Sequence, residues 1–218
     1  MTTTPPGAAR ITGYRELPMA EDVLIVNTHP GENPRFVGKL REFLISSGST
    51  HNVIDGYTGL NPLDSDARRI ILTGVPLDVD YSLSEYRTRK LIDRAFGWLH
   101  ECTRPVLGIC YGHQILARVY GGQVSSLEET VLDPRHPIVL SREGGVFSGV
   151  KELKVFAEHR DYVSVVPGGF TVLSRRNEIP YIMYDPNREM YGVQFVPEQS
   201  DDRTKEILRR FALEWPPP

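Results

Sequence analysis

Residues 108–114, GICYGHQ, contain the side chain of this sequence that is best suited to covalent chemistry, the thiol of Cys110. Glycines stand two residues before and two residues after it, which is the spacing of a nucleophile elbow with sulfur in place of a serine oxygen. A following helix would direct free N–H groups and its positive dipole end at the sulfur, which favours the thiolate and could hold an oxyanion. The alternative interpretation is a buried, inert cysteine.

Elements around this turn alternate between short apolar runs and amphipathic segments. The pattern predicts a single α/β domain with a mainly parallel central sheet, helices on both faces, and a small extra antiparallel β region after Gly122. Four strands are predicted in 21–28, 50–57, 67–76 and 104–109, and helices in 35–48, 87–102, 111–122 and 201–215. Four further β segments are predicted in 153–166, 170–176, 180–185 and 190–196. Ligands of such sheets bind at the carboxyl ends of the strands, where Cys110 lies.

Composition narrows the class of protein. The 218 residues are 40% hydrophobic and carry a net charge of -3, which predicts one globular domain over 21–215, a partly ordered lead-in over 1–20 and a tail over 216–218. Cations are scattered among acids, so we expect neither nucleic acid nor a membrane as partner. Two cysteines without metal-ligand spacing predict a cytoplasmic protein that has no structural disulfides, no metal and no cofactor.

Several motifs in order resemble one known family. ILTGVP, PVLGICYGHQ, HRDYV, PGGFTVL and YGVQFVPE are similar to motifs of the class I glutamine amidotransferases, most closely to the glutaminase part of GMP synthases. The resemblance implies a flavodoxin-like fold. It also implies a cysteine that attacks the side-chain amide of glutamine, forms a thioester and releases ammonia to a synthetase partner.

The resemblance assigns roles to individual residues. Cys110 matches the nucleophile, the N–H of Tyr111 one oxyanion donor, and Gln114 a residue of the glutamine pocket. The second donor comes from a Gly-Gly-Pro loop, where this chain has Gly74, Val75 and a proline. A β-branched residue resists positive φ, so either this donor is misplaced or Val75 takes an ordinary β conformation.

The family's catalytic base is the histidine of Phe-His-Pro-Glu, and here the tetrapeptide is Phe-Val-Pro-Glu. Val196 therefore stands at the position of the base, and Glu198 lacks the residue that it would orient. Glu198 could take the thiol proton through water, or it is a solvated or capping acid. An alkyl side chain cannot supply the proton that departing ammonia needs.

Two histidines could replace the base. His113 lies three residues beyond the cysteine, where a helix-packing role is the alternative, and His159 lies in a pocket segment, where it is more often structural. That segment reads Glu158, His159, Arg160, Asp161 where relatives have Ser-His-Gly-Asp. An acid and a bulky base near the pocket could exclude free glutamine.

Two classes of function follow. The first is a cysteine-dependent amidotransferase-like enzyme that acts on a small amide or acyl substrate, glutamine or an analogue, with an incomplete triad. The second is an inactive glutaminase-like subunit with a binding or regulatory role. A thiol with a lowered pKa would favour the first and an inert thiol the second. Because the chain has no ATP-pyrophosphatase signature, any nitrogen acceptor would be activated by a separate synthetase subunit.

Overall fold

Parallel pairing of β-branched runs organises the chain. The computed structural model describes residues 21–29, 34–75, 82–83 and 85–215, so the predicted lead-in, the tail and Pro76 lie outside the described residues. The strands are β1 (Val23–Asn27), β2 (His51–Asp55), β3 (Arg69–Leu72), β4 (Val106–Ile109), β5 (Gln123–Val139), β6 (Glu152–Val165), β7 (Thr171–Arg176), β8 (Ile179–Asp185) and β9 (Met190–Val193). The helices are α1 (Pro34–Ser46), α2 (Tyr86–Ala95), α3 (Tyr111–Val119) and α4 (Asp202–Leu213).

Seven strands form the central sheet in the order β2-β1-β3-β4-β9-β8-β7. The strands from β2 to β9 in that order are parallel, whereas β8 and β7 are antiparallel to their neighbours. The predicted α/β fold with a mainly parallel sheet is confirmed. Among the described residues, only β5 and β6 form the separate antiparallel sheet, because β7, β8 and β9 are joined by short turns that keep them on the edge of the central sheet.

Alternate residues of the buried strands feed two cores, one on each face of the sheet. On β1, Val23 and Ile25 join the core that α1 and α4 cover, and Leu24 and Val26 join the core that α2 and α3 cover. Such burial on both faces is expected of parallel strands whose connections are helices. Among the described residues, no helix combines the length and the apolar composition needed to span a bilayer.

Two elements differ from the sequence prediction. The helix predicted over 87–102 ends at Ala95, and a short 3₁₀ turn (Gly97–Glu101) follows, because Phe96 leaves the helical conformation at φ -115° just before a glycine. The 17-residue strand β5 was not predicted. Its charged, proline-containing sequence hides the alternation, and its pairing with β6 is interrupted by irregular register shifts.

Candidate active site

Cys110 lies between the end of β4 and the first residue of α3, at φ 49° and ψ -97°. Such a backbone conformation is strained for a residue with a side chain. The Cys110 N–H donates to the carbonyl of Val193 at 2.7 Å, which fixes the turn to β9. The predicted strand-to-helix turn is therefore present, with the cysteine at its apex.

Close packing explains the glycines on either side of the cysteine. A Cβ on Gly108 would lie 2.5 Å from the carbonyl group of Gly112, and a Cβ on Gly112 would lie 2.6 Å from the carbonyl oxygen of Leu72. The Gly112 N–H also donates to the Thr73 carbonyl at 3.1 Å. The start of α3 thus sits directly against the ends of β3 and β4.

The sulfur of Cys110 is buried, with 5% of the residue exposed. Its thiol donates to the backbone carbonyl of Glu158 at 3.6 Å, and the Nε2 of Gln194 donates to the sulfur at 3.8 Å. Burial and the negative charge of Glu158 raise the pKa of Cys110 to about 12, and Glu198 adds a smaller effect in the same direction. Hydrogen bonds from the Tyr111 N–H and from Gln194 lower the pKa but are outweighed.

The expectation of a thiolate is therefore wrong. The helix terminus does act on the sulfur through the Tyr111 N–H, but removal of the thiol from water is the larger effect. The sulfur is a neutral thiol near pH 7.

The second predicted oxyanion donor lies in the segment after β3. Gly74 is buried and Val75 is half-buried against the core beneath α3. The described non-glycine residues with positive φ are Cys110, Asn177, Glu178 and Glu189, so Val75 is not among them. Of the two interpretations of Val75, the structure favours an ordinary conformation without backbone strain.

Val196 is fully buried and its backbone is fixed on both sides. Its N–H donates to the carbonyl of Phe156 at 2.9 Å, and its carbonyl accepts from the Ser200 hydroxyl at 2.8 Å. These bonds hold the segment after β9 against β6, the strand whose Glu158 carbonyl meets the sulfur. A valine at this position offers no proton acceptor or donor to the thiol.

Glu198 follows in a short 3₁₀ turn (Pro197–Gln199). The residue is partly exposed, but its Oε2 is buried and has no hydrogen-bond partner among the described residues. Burial raises the pKa of Glu198 to about 7, although a hydrogen bond from its own backbone N–H and the positive charge of Lys39 act in the opposite direction. Neither a fully solvated acid nor a helix cap describes this carboxyl group, because one of its oxygens is buried without a hydrogen-bond partner among the described residues.

Both histidines considered as replacement bases are held elsewhere. His113 is buried, with its Nδ1 against the backbone of Gly192. Its ring nitrogens lack a hydrogen bond of normal geometry to described residues, and burial lowers its pKa to about 3. His159 is bound through Nδ1 to the Asp161 carbonyl and through Nε2 to the Tyr181 hydroxyl, both at 3.2 Å, and burial lowers its pKa to about 4. The packing interpretation accounts for both.

The predicted pocket segment divides into an inner and an outer part. The Nε2 of Gln114 donates to the Asp161 carbonyl at 2.8 Å, and the Asp161 carboxylate accepts from Ser82 at 2.5 Å and from Ser126 at 2.6 Å. Arg160, by contrast, is exposed and its Nε donates to the Leu127 carbonyl at 3.3 Å on the neighbouring strand β5. The expectation that Arg160 enters the pocket is wrong, because its guanidinium bonds to β5 instead. Glu158 lies two residues earlier, on the same face of β6, and it contacts the thiol through its backbone carbonyl.

Gln194 was missed by the sequence analysis. Its Oε1 accepts from Gln114 at 3.4 Å while its Nε2 reaches the sulfur, so it links the pocket residue to Cys110. A signal existed, since Gln194 directly follows β9 in the sequence run that leads to Val196. Side chains alternate between the two faces along that run, and the side chain of Gln194 lies on the face that meets the elbow.

The fold and this turn define an α/β protein with a cysteine-bearing elbow at the carboxyl end of a central parallel strand. The Glutamine amidotransferase class-I family matches residues 41–215. The chain belongs to the class I glutamine amidotransferase family.

Individual relatives agree with this assignment. The chain is 31% identical to one subunit of the glutamine-hydrolyzing GMP synthase of Methanocaldococcus jannaschii, over 81% of this chain and 90% of that protein. It is 34% identical to the glutamine-hydrolyzing GMP synthase of Clostridium kluyveri over 62% of this chain, and the match spans only 25% of that longer protein. The crystal structure of a Thermoplasma acidophilum protein, described as a GMP synthase subunit, has the same fold, with a TM-score of 0.71 at 20% identity, over 87% of this chain and 92% of that one.

Proposed function

We propose that this chain is an amidotransferase-family enzyme that uses Cys110 as a nucleophile without the family's histidine, on an amide-like or acyl substrate other than free glutamine. The observation that carries the proposal is the strained elbow. A non-glycine residue at φ 49° costs of the order of 1–3 kcal/mol, and such strain concentrates at functional sites. The Tyr111 N–H beside the sulfur supplies one donor for an oxyanion.

Loss of the base argues against free glutamine as substrate. General acid-base catalysis contributes roughly 10²–10⁴-fold, and the position that the resemblance gives to the base holds Val196. His113 and His159 have lowered pKa values and are fixed by packing or hydrogen bonds. Gln114, the proposed glutamine-pocket residue, already donates its amide N–H groups to the Asp161 carbonyl and to the Gln194 side chain.

A separate partner completes the proposal. The relative of similar length is named as one subunit of a GMP synthase, and the match to a longer GMP synthase covers a quarter of it. We therefore propose that the acceptor is activated by another polypeptide. Cys102 and Cys110 are both free thiols, in keeping with the proposed reducing cytoplasmic location.

The test compares ammonia release from glutamine by the natural protein, Cys110→Ala and Val196→His. We expect no release above the Cys110→Ala background by the natural protein or by Val196→His, because Gln114 is already bonded to Asp161 and Gln194. Release by Val196→His alone would show that the pocket still accepts glutamine, and it would favour a regulatory or scaffolding role. Covalent labelling of Cys110 by small electrophiles is measured in parallel by intact mass. Rapid glutamine hydrolysis by the natural protein would overturn the proposed substrate, and a Cys110 that no electrophile modifies in the folded protein would overturn the nucleophile.

One observation favours a second candidate, a catalytically inactive protein with a binding or regulatory role. Burial and Glu158 raise the pKa of Cys110 to about 12, as expected of an inert thiol. Under this alternative, Cys110→Ala leaves the activity of the partner complex unchanged. Under the enzyme proposal, the same variant abolishes it.

A further inference from the structure

A buried side-chain amide, that of Gln194, reaches the sulfur of Cys110. Gln194 has no exposed surface, and its Nε2 lies 3.8 Å from the sulfur. Its backbone N–H donates to the carbonyl of Tyr181 at 3.0 Å, which ties the segment after β9 to β8. The amide is therefore held beside the thiol by both its backbone and its side chain.

The partners of Gln194 determine which end of its amide faces the sulfur. The Asp161 carbonyl can only accept, so the Gln114 group that lies 2.8 Å from it is the amide nitrogen. The same nitrogen lies 3.4 Å from the Oε1 of Gln194, which accepts its second N–H. The other end of the Gln194 amide, its Nε2, therefore faces the sulfur as a donor.

A second donor fixes the Asp161 carbonyl. The Nδ1 of His159 lies 3.2 Å from this carbonyl, and the Nε2 of the same ring lies 3.2 Å from the Tyr181 hydroxyl. Burial keeps the ring neutral by lowering its pKa to about 4, so the single ring proton is on Nδ1 and Nε2 accepts from the Tyr181 hydroxyl. Hydrogen bonds of fixed direction thus set the carbonyl that aims Gln114, and through it Gln194.

A donor beside sulfur acts more strongly on the thiolate than on the thiol. The thiol of Cys110 gives its own proton to the Glu158 carbonyl, so its sulfur accepts from Gln194 already in the neutral form. A hydrogen bond to an ionised group is roughly twice as strong as one between neutral groups, so this contact strengthens as the sulfur becomes an anion. In a buried site it takes the place of part of the water that would otherwise solvate the thiolate.

Resting on the proposed role of Cys110 as nucleophile, we propose that Gln194 is a catalytic residue whose side-chain N–H stabilises the Cys110 thiolate during attack, and that Gln114 is the positioning residue that aims it. In this step the thiol proton passes to water, the S–C bond forms at the carbonyl carbon, and the C=O electron pair moves to oxygen. The Gln194 N–H remains on sulfur until that bond has formed. A side-chain amide does not take up a proton near neutral pH, so Gln194 does not replace the missing base.

Alkylation of Cys110 by iodoacetamide at pH 9 tests this role, because the thiolate displaces iodide as the S–C bond forms. Gln194→Met removes the donor but keeps the length of the side chain, and Gln194→Glu places an acceptor of the same shape beside the sulfur. For Gln194→Met, a thiolate fraction lowered about tenfold, partly offset by the greater nucleophilicity of a more basic thiolate, gives a rate lowered roughly three- to fourfold. We expect a larger loss for Gln194→Glu, because its carboxylate repels the thiolate.

The sign of the effect separates a donor from a merely structural residue. A substitution that only loosens the site admits water to the sulfur, which lowers the thiol pKa and raises the rate. Gln114→Met should lower the rate by a smaller factor than Gln194→Met, whereas Gln123→Met, at an exposed position on β5, should leave it unchanged.

Peptide mass mapping separates Cys110 from Cys102, and urea unfolding identifies the variants that fold. Two Gln194 variants are made so that a folding defect in one does not decide the test. An unchanged or faster rate in a folded Gln194 variant overturns the catalytic role of Gln194 while Cys110 remains a nucleophile, and an unchanged rate in Gln114→Met overturns the positioning role. Failure of iodoacetamide to modify Cys110 in the natural protein overturns this inference and the proposed function together.

Discussion

At the scale of single residues, the contrast between Cys110 and Glu198 defines the site. Cys110 is buried, and Glu198 is partly exposed with one carboxyl oxygen buried. In both cases loss of water favours the neutral form, so the pKa of the thiol is raised to about 12 and that of the carboxyl group to about 7. The thiol is therefore protonated near neutral pH, while the carboxyl group changes its charge there. Of the two groups, Glu198 is the one poised for proton transfer.

The raised pKa of Cys110 predicts a specific pH profile for alkylation by iodoacetamide. At pH 7 a thiol with a pKa of about 12 is ionised to roughly one part in 10⁵, and this fraction grows tenfold with each pH unit. We expect the rate at Cys110 to rise with that slope through pH 10 without a plateau. The rate is followed by mass mapping with Cys110→Ala as blank, and a plateau near pH 8.5 would show that the thiol is not desolvated.

The carboxyl group of Glu198 predicts a pH dependence of folding stability. Its folded-state pKa is raised above the unfolded value, so its stabilising contribution is complete below about pH 4.5 and is lost as the pH rises through about 7. At about 1.4 kcal/mol per pH unit, the loss amounts to about 3 kcal/mol. We expect Glu198→Gln to remove this decline in urea unfolding between pH 4.5 and 8. Glu152→Gln is the control, and an equal decline in Glu198→Gln and the natural protein would contradict the prediction.

At the scale of elements, the site depends on how closely α3 approaches β3 and β4. Gly112 has no room for a Cβ, because the carbonyl oxygen of Leu72 would lie 2.6 Å away. This oxygen belongs to the backbone of a buried strand, which cannot move aside without disturbing the sheet. The elbow is thus built by three elements in direct backbone contact.

A matched pair of glycine substitutions tests this contact. Gly112→Ala should destabilise the protein by about 1–3 kcal/mol through overpacking. Gly38→Ala on α1 introduces the same methyl group where nothing lies within 4 Å, and it should stabilise the protein by about 0.5–1 kcal/mol through helix propensity. Both values come from urea unfolding at pH 7. Equal effects of the two substitutions would mean that α3 does not pack as closely as described.

Helix α4 offers a second test at this scale. The Asp201 carboxylate accepts from the Thr204 N–H at 2.8 Å and from the Lys154 N–H at 3.2 Å, so it caps the helix and ties it to β6. Asp201→Ala should lower the free energy of unfolding by about 1–2 kcal/mol, and Asp201→Asn by less. The neighbouring Asp202→Ala, whose side chain is fully exposed, serves as control and should change stability by less than about 0.5 kcal/mol.

At the scale of the whole molecule, buried histidines join the ribbon of β5 and β6 to the central sheet. His136 of β5 stacks on Tyr181 of β8 with ring centroids 4.9 Å apart, and the Tyr181 hydroxyl bonds to His159 of β6. Burial lowers the pKa of His136 and lowers that of His159 to about 4. Two histidine rings whose burial favours the neutral form therefore take part in the contact between the two sheets.

This arrangement predicts that acid destabilises the fold. A histidine with a lowered folded-state pKa stabilises the protein fully above its unfolded value of about 6.5, and this contribution is lost as the pH falls toward about 4. Each such histidine contributes a slope of about 1.4 kcal/mol per pH unit. In urea unfolding between pH 6.5 and 4.5, His159→Gln should have a shallower slope than the natural protein, and the exposed His100→Gln should not. Parallel slopes for all three proteins would contradict the assignment.

Much of this molecule follows from local sequence patterns, because they encode local structure. The spacing of Gly108, Cys110 and Gly112 predicted the elbow, and β-branched runs predicted the parallel strands. The ionisation state of Cys110 could not be predicted, since it depends on burial and on Glu158, which folding brings from 48 residues away. The outward direction of Arg160 likewise depends on the register of β6 against β5.

The positive φ of Cys110 also bears on how sequences of this kind can drift. Gly108 and Gly112 are held by backbone packing alone, so a relative that had abandoned all chemistry would still need both of them. Packing does not favour the cysteine at position 110, because at φ 49° a glycine would have less backbone strain than a cysteine. In a genome survey, the two glycines of a Gly-x-Cys-x-Gly signature would therefore be retained for packing, whether or not the cysteine is used. Replacement of the middle letter by glycine would mark the lineages in which the thiol has no further use.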